Sequence, residues 1–320
     1  MKQKSFITAG LLLLLIVIFF ITKDLLFQKG DDNGNPYEYN LEELKKSDSL
    51  EVAFKEIKQL TPGLEEIYGI AVDPSDRIYI SGNNGVEIFY NTGKPEKKFR
   101  INGIARTIKV DDKGMIYLGI EDHIEVYSND GKLVKKWESE SERSVLTSIA
   151  VTSSDVFVAD AGEKVVYHYD LTGKLINRIG QKDPQNNIPG FVVPSYYFDL
   201  GVNSKGQLWV ADPGRHTFMN FGYDGTLISS WGKTSMGVDG FCGCCNPSHF
   251  AFLSDGSFIT SEKGIERIKV YLPDGTYKYL VATPDSFEEG TRGLDLAVDS
   301  QERILVLDPV KKKVRFFVRK

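Results

Sequence analysis

The chain has 320 residues, and 41% of them are apolar, which is enough for a hydrophobic core of ordinary proportions. The formal net charge of −5, with no Lys/Arg-rich block apart from 311–313, argues against nucleic acid as a partner. A length of this order fits one large closed all-β domain.

The N-terminal segment 6–22 has no charged residue and is centred on the string LLLLLIVIFFI. Its length is close to the lower limit for a helix that crosses a bilayer. Lys2 and Lys4 precede it, so the positive-inside rule predicts a cytoplasmic N-terminus and a domain outside the cytoplasm. The segment also fits a cleaved signal peptide, but the following TKDLLFQKG lacks a small-x-small cleavage site, which favours an uncleaved anchor.

These features predict three parts of the chain. Residues 1–24 form a membrane anchor with a transmembrane helix at 6–22, residues 25–48 form a polar linker, and residues 49–320 form the folded domain. The predicted location is the cytoplasmic (inner) membrane, crossed once, with the domain in the periplasm or outside the cell.

The rest of the chain repeats a pattern of about forty residues. Each copy has an apolar strand, a polar turn, a second strand, another turn and a third strand that ends near Asp-Gly or Thr-Gly. The second strands are RIYIS, MIYLG, DVFVAD, QLWVAD, SFITSE and RILVLD. Short strands in such a repeat predict a β-propeller, and six copies predict six four-stranded antiparallel blades.

The sixth repeat ends at Lys320, directly after its third strand. The segment 49–60 alternates like a strand and belongs to no repeat, so we expect it to supply the missing outer strand and close the ring. The alternative is a surface helix at the same place.

The strings IAVDPSDRIYISGNNGVEIFYNTGK and GVNSKGQLWVADPGRHTFMNFGYDGTLISSWG resemble NHL repeats. The resemblance covers roughly residues 64–318 and implies a six-bladed propeller of the NHL type, similar to exported bacterial propellers with a GFCGCCNP insertion. It implies no single activity, because NHL-type propellers serve as ligand platforms, RNA binders and enzymes. The strongly basic face of the RNA-binding members is not found in this sequence.

Two insertions interrupt the repeat, at 181–197 and at 233–250. Both connect the outer strand of one repeat with the inner strand of the next. In an up-and-down blade such links lie on the same face as the loops between second and third strands, so we expect this loop face to carry the binding site.

The second insertion holds all three cysteines, Cys242, Cys244 and Cys245. With His249 and His216 they are candidate ligands for a transition metal, Zn or Cu, since thiolate and imidazole suit both. A disulfide with one spare thiol is the second interpretation, because the predicted compartment is oxidising. The third is that the thiols only pack the loop.

Other candidates follow from position on the loop face. We predict ligand contacts for Arg215, Glu262, Lys263 and Arg267. Further residues near the expected channel mouth or beside the insertions are Arg106, Arg143, Arg292, Tyr196, Tyr197 and Trp231. The fourth histidine, His168, lies within a third strand and is predicted to be structural.

The predicted function is that of a membrane-tethered binding or scaffold module outside the cytoplasm, whose loop face and Cys-rich insertion bind a protein or a small molecule. The alternative is a metal- or thiol-dependent redox or hydrolytic activity at the cysteines with His216 and His249. A propeller hydrolase or lyase that uses Asp199, Glu262 and Asp295 around the channel is a third possibility. Whether the protein is an enzyme stays open at this point.

Overall fold

The structure, a computed structural model, describes residues 51–243 and 245–320. They belong to one compact unit, Leu44–Lys320. In chain order the strands are β1 (Phe54–Leu60), β2 (Ile67–Val72), β3 (Ile78–Phe89), β4 (Pro95–Val110), β5 (Ile116–Ile120), β6 (His123–Tyr127), β7 (Leu133–Trp137), β8 (Leu146–Val151), β9 (Asp155–Asp160), β10 (Val165–Asp170), β11 (Leu175–Ile179), β12 (Leu200–Val202), β13 (Leu208–Asp212), β14 (Thr217–Phe221), β15 (Leu227–Gly232), β16 (His249–Phe252), β17 (Phe258–Ser261), β18 (Ile268–Tyr271), β19 (Tyr277–Ala282), β20 (Asp295–Val298), β21 (Ile304–Asp308) and β22 (Lys313–Arg319). Two short 3-10 turns occur at Pro184–Asn186 and Pro284–Ser286.

The all-β propeller is confirmed. Three antiparallel sheets follow chain order from the inner strand outward: β8-β9-β10-β11, β12-β13-β14-β15 and β16-β17-β18-β19. The inner strands β2, β4, β8, β12, β16 and β20 contact one another in that order, and β20 also contacts β2. The ring is therefore closed around a central channel.

The prediction of six four-stranded blades is wrong, because the described residues form five sheets. Four sheets have four strands, and the fifth has six, in the order β2-β3-β4-β5-β6-β7. The cause is β4, which runs for 16 residues without a break. Its first part pairs with β3 and its second part pairs with β5, since the link between these two repeats carries no insertion. The first two repeats therefore share one sheet.

The last sheet has the order β1-β22-β21-β20, so the chain segment before the first repeat supplies its outer strand. Phe54 lies opposite Arg319, and Leu60 lies opposite Val314. Arg315 adds a side-chain link, because its Nη2 lies 2.6 Å from Oε2 of Glu56. This pairing agrees with the strand predicted for 49–60, and the surface helix is excluded.

The described residues include no helix that is long and apolar enough to cross a membrane, so the transmembrane helix of the predicted fold is not found there. The segment predicted to form it, 6–22, lies outside the described residues. The rest of the predicted anchor 1–24 and the linker 25–48 lie outside them too.

Apolar cores fill the spaces between neighbouring repeats. Turn glycines allow the closest approaches. Gly173 has φ +91° and Gly275 has φ +87°, and a Cβ on either residue would come within 2.6 Å of an indole ring, of Trp137 or Trp231 respectively. Trp231 thus packs between repeats. His168 is also structural, as predicted: its buried ring stacks on Phe157.

Candidate binding site

The strand register brings one residue of each inner strand to the same height in the channel. Each of these residues pairs with the same position of the second strand in its own repeat. We call this set the polar layer, and it consists of Gly69, Thr107, Ser148, Asp199, His249 and Asp295.

The polar layer ties neighbouring inner strands together. The carboxylate of Asp199 accepts a hydrogen bond from the backbone N–H of Phe250 at 2.7 Å. The carboxylate of Asp295 accepts one from Ile70 at 2.9 Å, across the junction of the last and first repeats. Since each carboxylate also accepts a bond from the backbone N–H that follows it, both side chains have a structural function in the ring.

His249 lies between these two carboxylates. Its Nδ1 is 3.8 Å from Oδ2 of Asp199 and 3.6 Å from Oδ1 of Asp295, and its ring meets Tyr197 edge-on. Burial raises the pKa of Asp199 to about 6, with His249 opposing the rise and Asp295 adding to it. Burial likewise raises the pKa of Asp295. Two carboxyl groups with raised pKa values therefore flank His249 below the mouth of the channel.

A cavity of about 400 Å³ opens above His249 at the start of the inner strands, on the predicted loop face. We call it the mouth cavity. Aromatic rings and cations form much of its wall, and it is lined by Tyr68, Arg106, Tyr196, Tyr197, Lys263 and Arg292, together with His249 and smaller residues.

Three cations surround this cavity without a carboxylate partner. Within the described residues, neither Arg106 nor Lys263 nor Arg292 forms an ion pair. The Nζ of Lys263 lies 5.1 Å from the ring centre of Tyr197, and the guanidinium of Arg106 lies 5.8 Å from that of Tyr196. The three charges all act on Tyr197 and oppose the rise in its pKa that burial causes. The mouth cavity is thus a positively charged, partly aromatic concavity.

The structure separates the residues that the sequence grouped around a metal. Cys242 is half-buried and not in a disulfide, and burial raises the pKa of its thiol. Cys245 is buried and its Sγ accepts a hydrogen bond from Ser195 at 2.9 Å. Cys244 lies outside the described residues. His216 contacts the insertion through its two ring nitrogens, with Nε2 2.5 Å from the carbonyl of Gly243 and Nδ1 3.0 Å from the hydroxyl of Thr234.

No group of three or more His, Cys, Asp or Glu side chains in 51–243 and 245–320 has the arrangement of a metal site. The histidine nearest to the cysteines along the chain, His249, lies in the polar layer instead. The metal, Zn or Cu, and the disulfide both stay predictions.

Of the four residues predicted to contact a ligand, one lines the mouth cavity and three have other contacts. Lys263 lines the mouth cavity. Arg215 bonds Asp212 and the carbonyl of Gly190 at 2.6 Å each, so it holds the first insertion against its sheet. Glu262 and Arg267 are buried as an ion pair of 2.7 Å and do not line the mouth cavity.

Tyr68 and Ser195 are cavity residues that the sequence analysis missed, and Arg143 is an exposed residue that pairs with Glu163 outside the cavity. A signal for the missed positions exists in the repeats themselves. In the first three inner strands the residue directly before the polar layer lies at the channel mouth: Tyr68, Arg106 and Thr147. Alignment of the inner strands by that position finds part of the wall of the cavity.

We expect the ionisation of Asp199 to weaken the fold between pH 4 and pH 6. A raised carboxyl pKa means that the folded state binds the proton more tightly, so its stabilising effect is complete below the ordinary value of 3.8 and lost as pH rises through about 6. A shift of about 2 units corresponds to about 3 kcal/mol. Urea unfolding across this range should therefore show that wild type loses stability relative to Asp199→Asn. A constant difference between the two proteins would contradict the expectation.

Comparisons with known proteins identify the fold. No family model matches the chain, and no curated protein sequence does. Among solved structures, a streptogramin B lyase has a TM-score of 0.61 and 12% identity, covering 83% of this chain and 98% of that chain. A virginiamycin B lyase from Staphylococcus aureus has a TM-score of 0.56 and 14% identity, covering 79% and 81%. A catalytically inactive form of that lyase with quinupristin has a TM-score of 0.56 and 15% identity, covering 82% and 85%. At these identities the likeness shows the fold alone, a β-propeller.

Proposed function

We propose that this protein is a binding module whose mouth cavity takes an anionic ligand with a flat apolar part. The supporting observation is the set of three cations, Arg106, Lys263 and Arg292, that have no ion pair among the described residues and surround Tyr197. Arg106 and Lys263 are half-buried and Arg292 is exposed. Unpaired cations that converge on one cavity favour an anion from outside, since charge-assisted hydrogen bonds are among the strongest polar contacts.

The aromatic walls define the rest of the ligand. Tyr68, Tyr196 and Tyr197 offer ring faces beside the cations, and Tyr196 is 61% exposed. Exposed tyrosine is typical of binding surfaces because it combines apolar area with a polar end. A carboxylate or phosphate attached to a sugar or aromatic ring fits this combination of rings and charges.

We further infer that the domain is of the NHL-repeat type and works outside the cytoplasm at the inner membrane, with 6–22 as its anchor. The inference rests on the repeat strings and on the uncharged apolar segment of the sequence. In cell fractionation the full-length protein should stay with membranes after a high-salt wash and leave them in detergent. Release by salt alone would exclude the anchor.

The ligand class is tested with matched acid and neutral probes: benzoate with benzamide, and glucuronate with glucose. We expect each acid to bind more tightly than its neutral partner in calorimetry. Lys263→Gln or Arg292→Gln should weaken binding by about tenfold or more, the value of one charge-assisted hydrogen bond. Lys164→Gln is the control, because Lys164 is exposed in the turn after β9 and does not line the cavity. Equal binding of acids and neutral partners, or equal losses in Lys263→Gln and the control, would overturn the proposal.

A further inference from the structure

A second layer of the channel contains one lysine among small residues. The register of the inner strands places Ala71, Ala150, Gly201, Ala251 and Ala297 at the same position, two residues beyond the polar layer. In β4 this position is occupied by Lys109, opposite Tyr117. We call this set the small layer. The long side chain of Lys109 therefore enters a part of the channel that its neighbours leave open.

The small layer surrounds a separate cavity of about 190 Å³, the inner cavity. Among the described residues, Lys109 is the only one with a charged or polar side chain that lines it, and all the others are Ala, Val, Ile, Leu, Phe or Gly. His249 lines the mouth cavity while its neighbour Phe250 lines the inner one, so the polar layer lies between the two. Along β4, Lys109 is three residues beyond Arg106, about 10 Å at the rise of a β-strand.

The ammonium group of Lys109 has no partner in direct contact. No hydrogen bond or ion pair of its side chain occurs within the described part of the chain. Asp295 and Asp199 in the polar layer attract the Lys109 charge electrostatically without contacting it. Both carboxylates accept hydrogen bonds from backbone N–H groups. Burial lowers the pKa of Lys109, which reflects how poorly this environment solvates the charge. Lys109 is half-buried and stands in an otherwise apolar wall, where a cation without a partner is costly and a bound anion reduces that cost.

We propose that the inner cavity is a binding site for a short-chain monocarboxylate. The carboxylate pairs with Lys109, and the alkyl chain lies against the small layer and the rings of Phe250 and Phe252. The volume is several times the roughly 30 Å³ of one water molecule, so a short acyl chain fits. Phosphate and sulfate fit less well, because one ammonium group in an apolar wall cannot compensate two negative charges.

The first experiment uses the unmodified full-length protein. N-Hydroxysuccinimidyl acetate acetylates accessible amines, and peptide mass spectrometry measures the rate at Lys109 against exposed Lys205. We expect butyrate to slow acetylation of Lys109 at least tenfold and to leave Lys205 unchanged, while butyramide protects neither residue. Equal protection by butyramide, or no protection by butyrate, would overturn the proposal.

The second experiment measures butyrate affinity by calorimetry in two variants. Lys109→Met keeps the length of the side chain and removes its charge, and it should lower the affinity at least tenfold. Ala251→Leu fills the inner cavity and should lower it comparably with Lys109 in place. Lys164→Gln, which removes an exposed charge away from both cavities, should leave it unchanged. If Lys109→Met or Ala251→Leu binds butyrate like wild type, or Lys164→Gln loses as much as Lys109→Met, the site does not lie in the inner cavity.

Discussion

Replacing Glu262 by Gln is expected to lower the free energy of unfolding by about 3–5 kcal/mol. Glu262 is 1% exposed and holds two cations that are also buried, Arg267 at 2.7 Å and Lys269 by a direct ion pair. Burial lowers the pKa of Lys269 to about 8, and the Glu262 carboxylate opposes this. Without the carboxylate both cations stay in the core with too few partners, so the loss is much larger than the value of a surface pair.

The control for this prediction is Glu163→Gln. Glu163 also makes two bonds to a guanidinium, that of Arg143, at 3.0 and 3.1 Å, but Arg143 is largely exposed. A surface pair of this kind contributes about 0–1 kcal/mol. Urea unfolding of both variants at pH 7 gives the comparison. A loss below about 1 kcal/mol in Glu262→Gln would show that the buried pairs are not a main source of stability.

Truncation of Phe241 to Ala is expected to cost about 3–5 kcal/mol and to expose the Cys-rich insertion. Phe241 is fully buried and anchors the insertion in the core between β12–β15 and β16–β19. The centre of its ring lies 5.2 Å from the ring centre of Tyr271 and 4.5 Å from the Nζ of Lys269. Loss of the ring leaves a cavity and removes the anchor next to Cys242.

Two measurements check the effect of Phe241→Ala. Urea unfolding gives the stability, and the rate of maleimide labelling at Cys242 in the folded state gives the exposure of the insertion. Tyr196→Ala is the control, because Tyr196 belongs to the other insertion and is 61% exposed. We expect it to change stability by less than about 1 kcal/mol. Equal losses in the two variants, or unchanged labelling in Phe241→Ala, would contradict the assigned anchor.

Much of the fold was predictable because the repeat encodes it locally. Alternating apolar residues and the Asp-Gly or Thr-Gly turns determine where each strand starts and ends, as at Gly173 and Gly275. The number of separate sheets was not predictable in this way. It depends on whether hydrogen bonding continues through the link between two repeats, as it does in β4.

The site was less accessible to sequence reasoning. Proximity along the chain suggested that His249 accompanies the cysteines, but strand register determines where its side chain lies, and one residue of offset changes the face. The same register shows that Lys109 stands where the other repeats have Ala or Gly. Whether a charged residue such as Glu262 faces solvent or is buried depends on the loop above it, here residues 233–250, whose path the repeat does not encode.

The pairing of β1 with β22 has a consequence for biogenesis. Among the described strands, a ribosome makes residues 54–60 first and 313–319 last, so the first of them has no partner until the last has been made. During synthesis the intermediate repeats can stack, but β1 and β21 each have a strand edge without its partner until β22 has been made. Such nascent chains expose binding sites for chaperones and cleavage sites for proteases. A ribosome that stalls before β22 is made leaves a product whose ring cannot close.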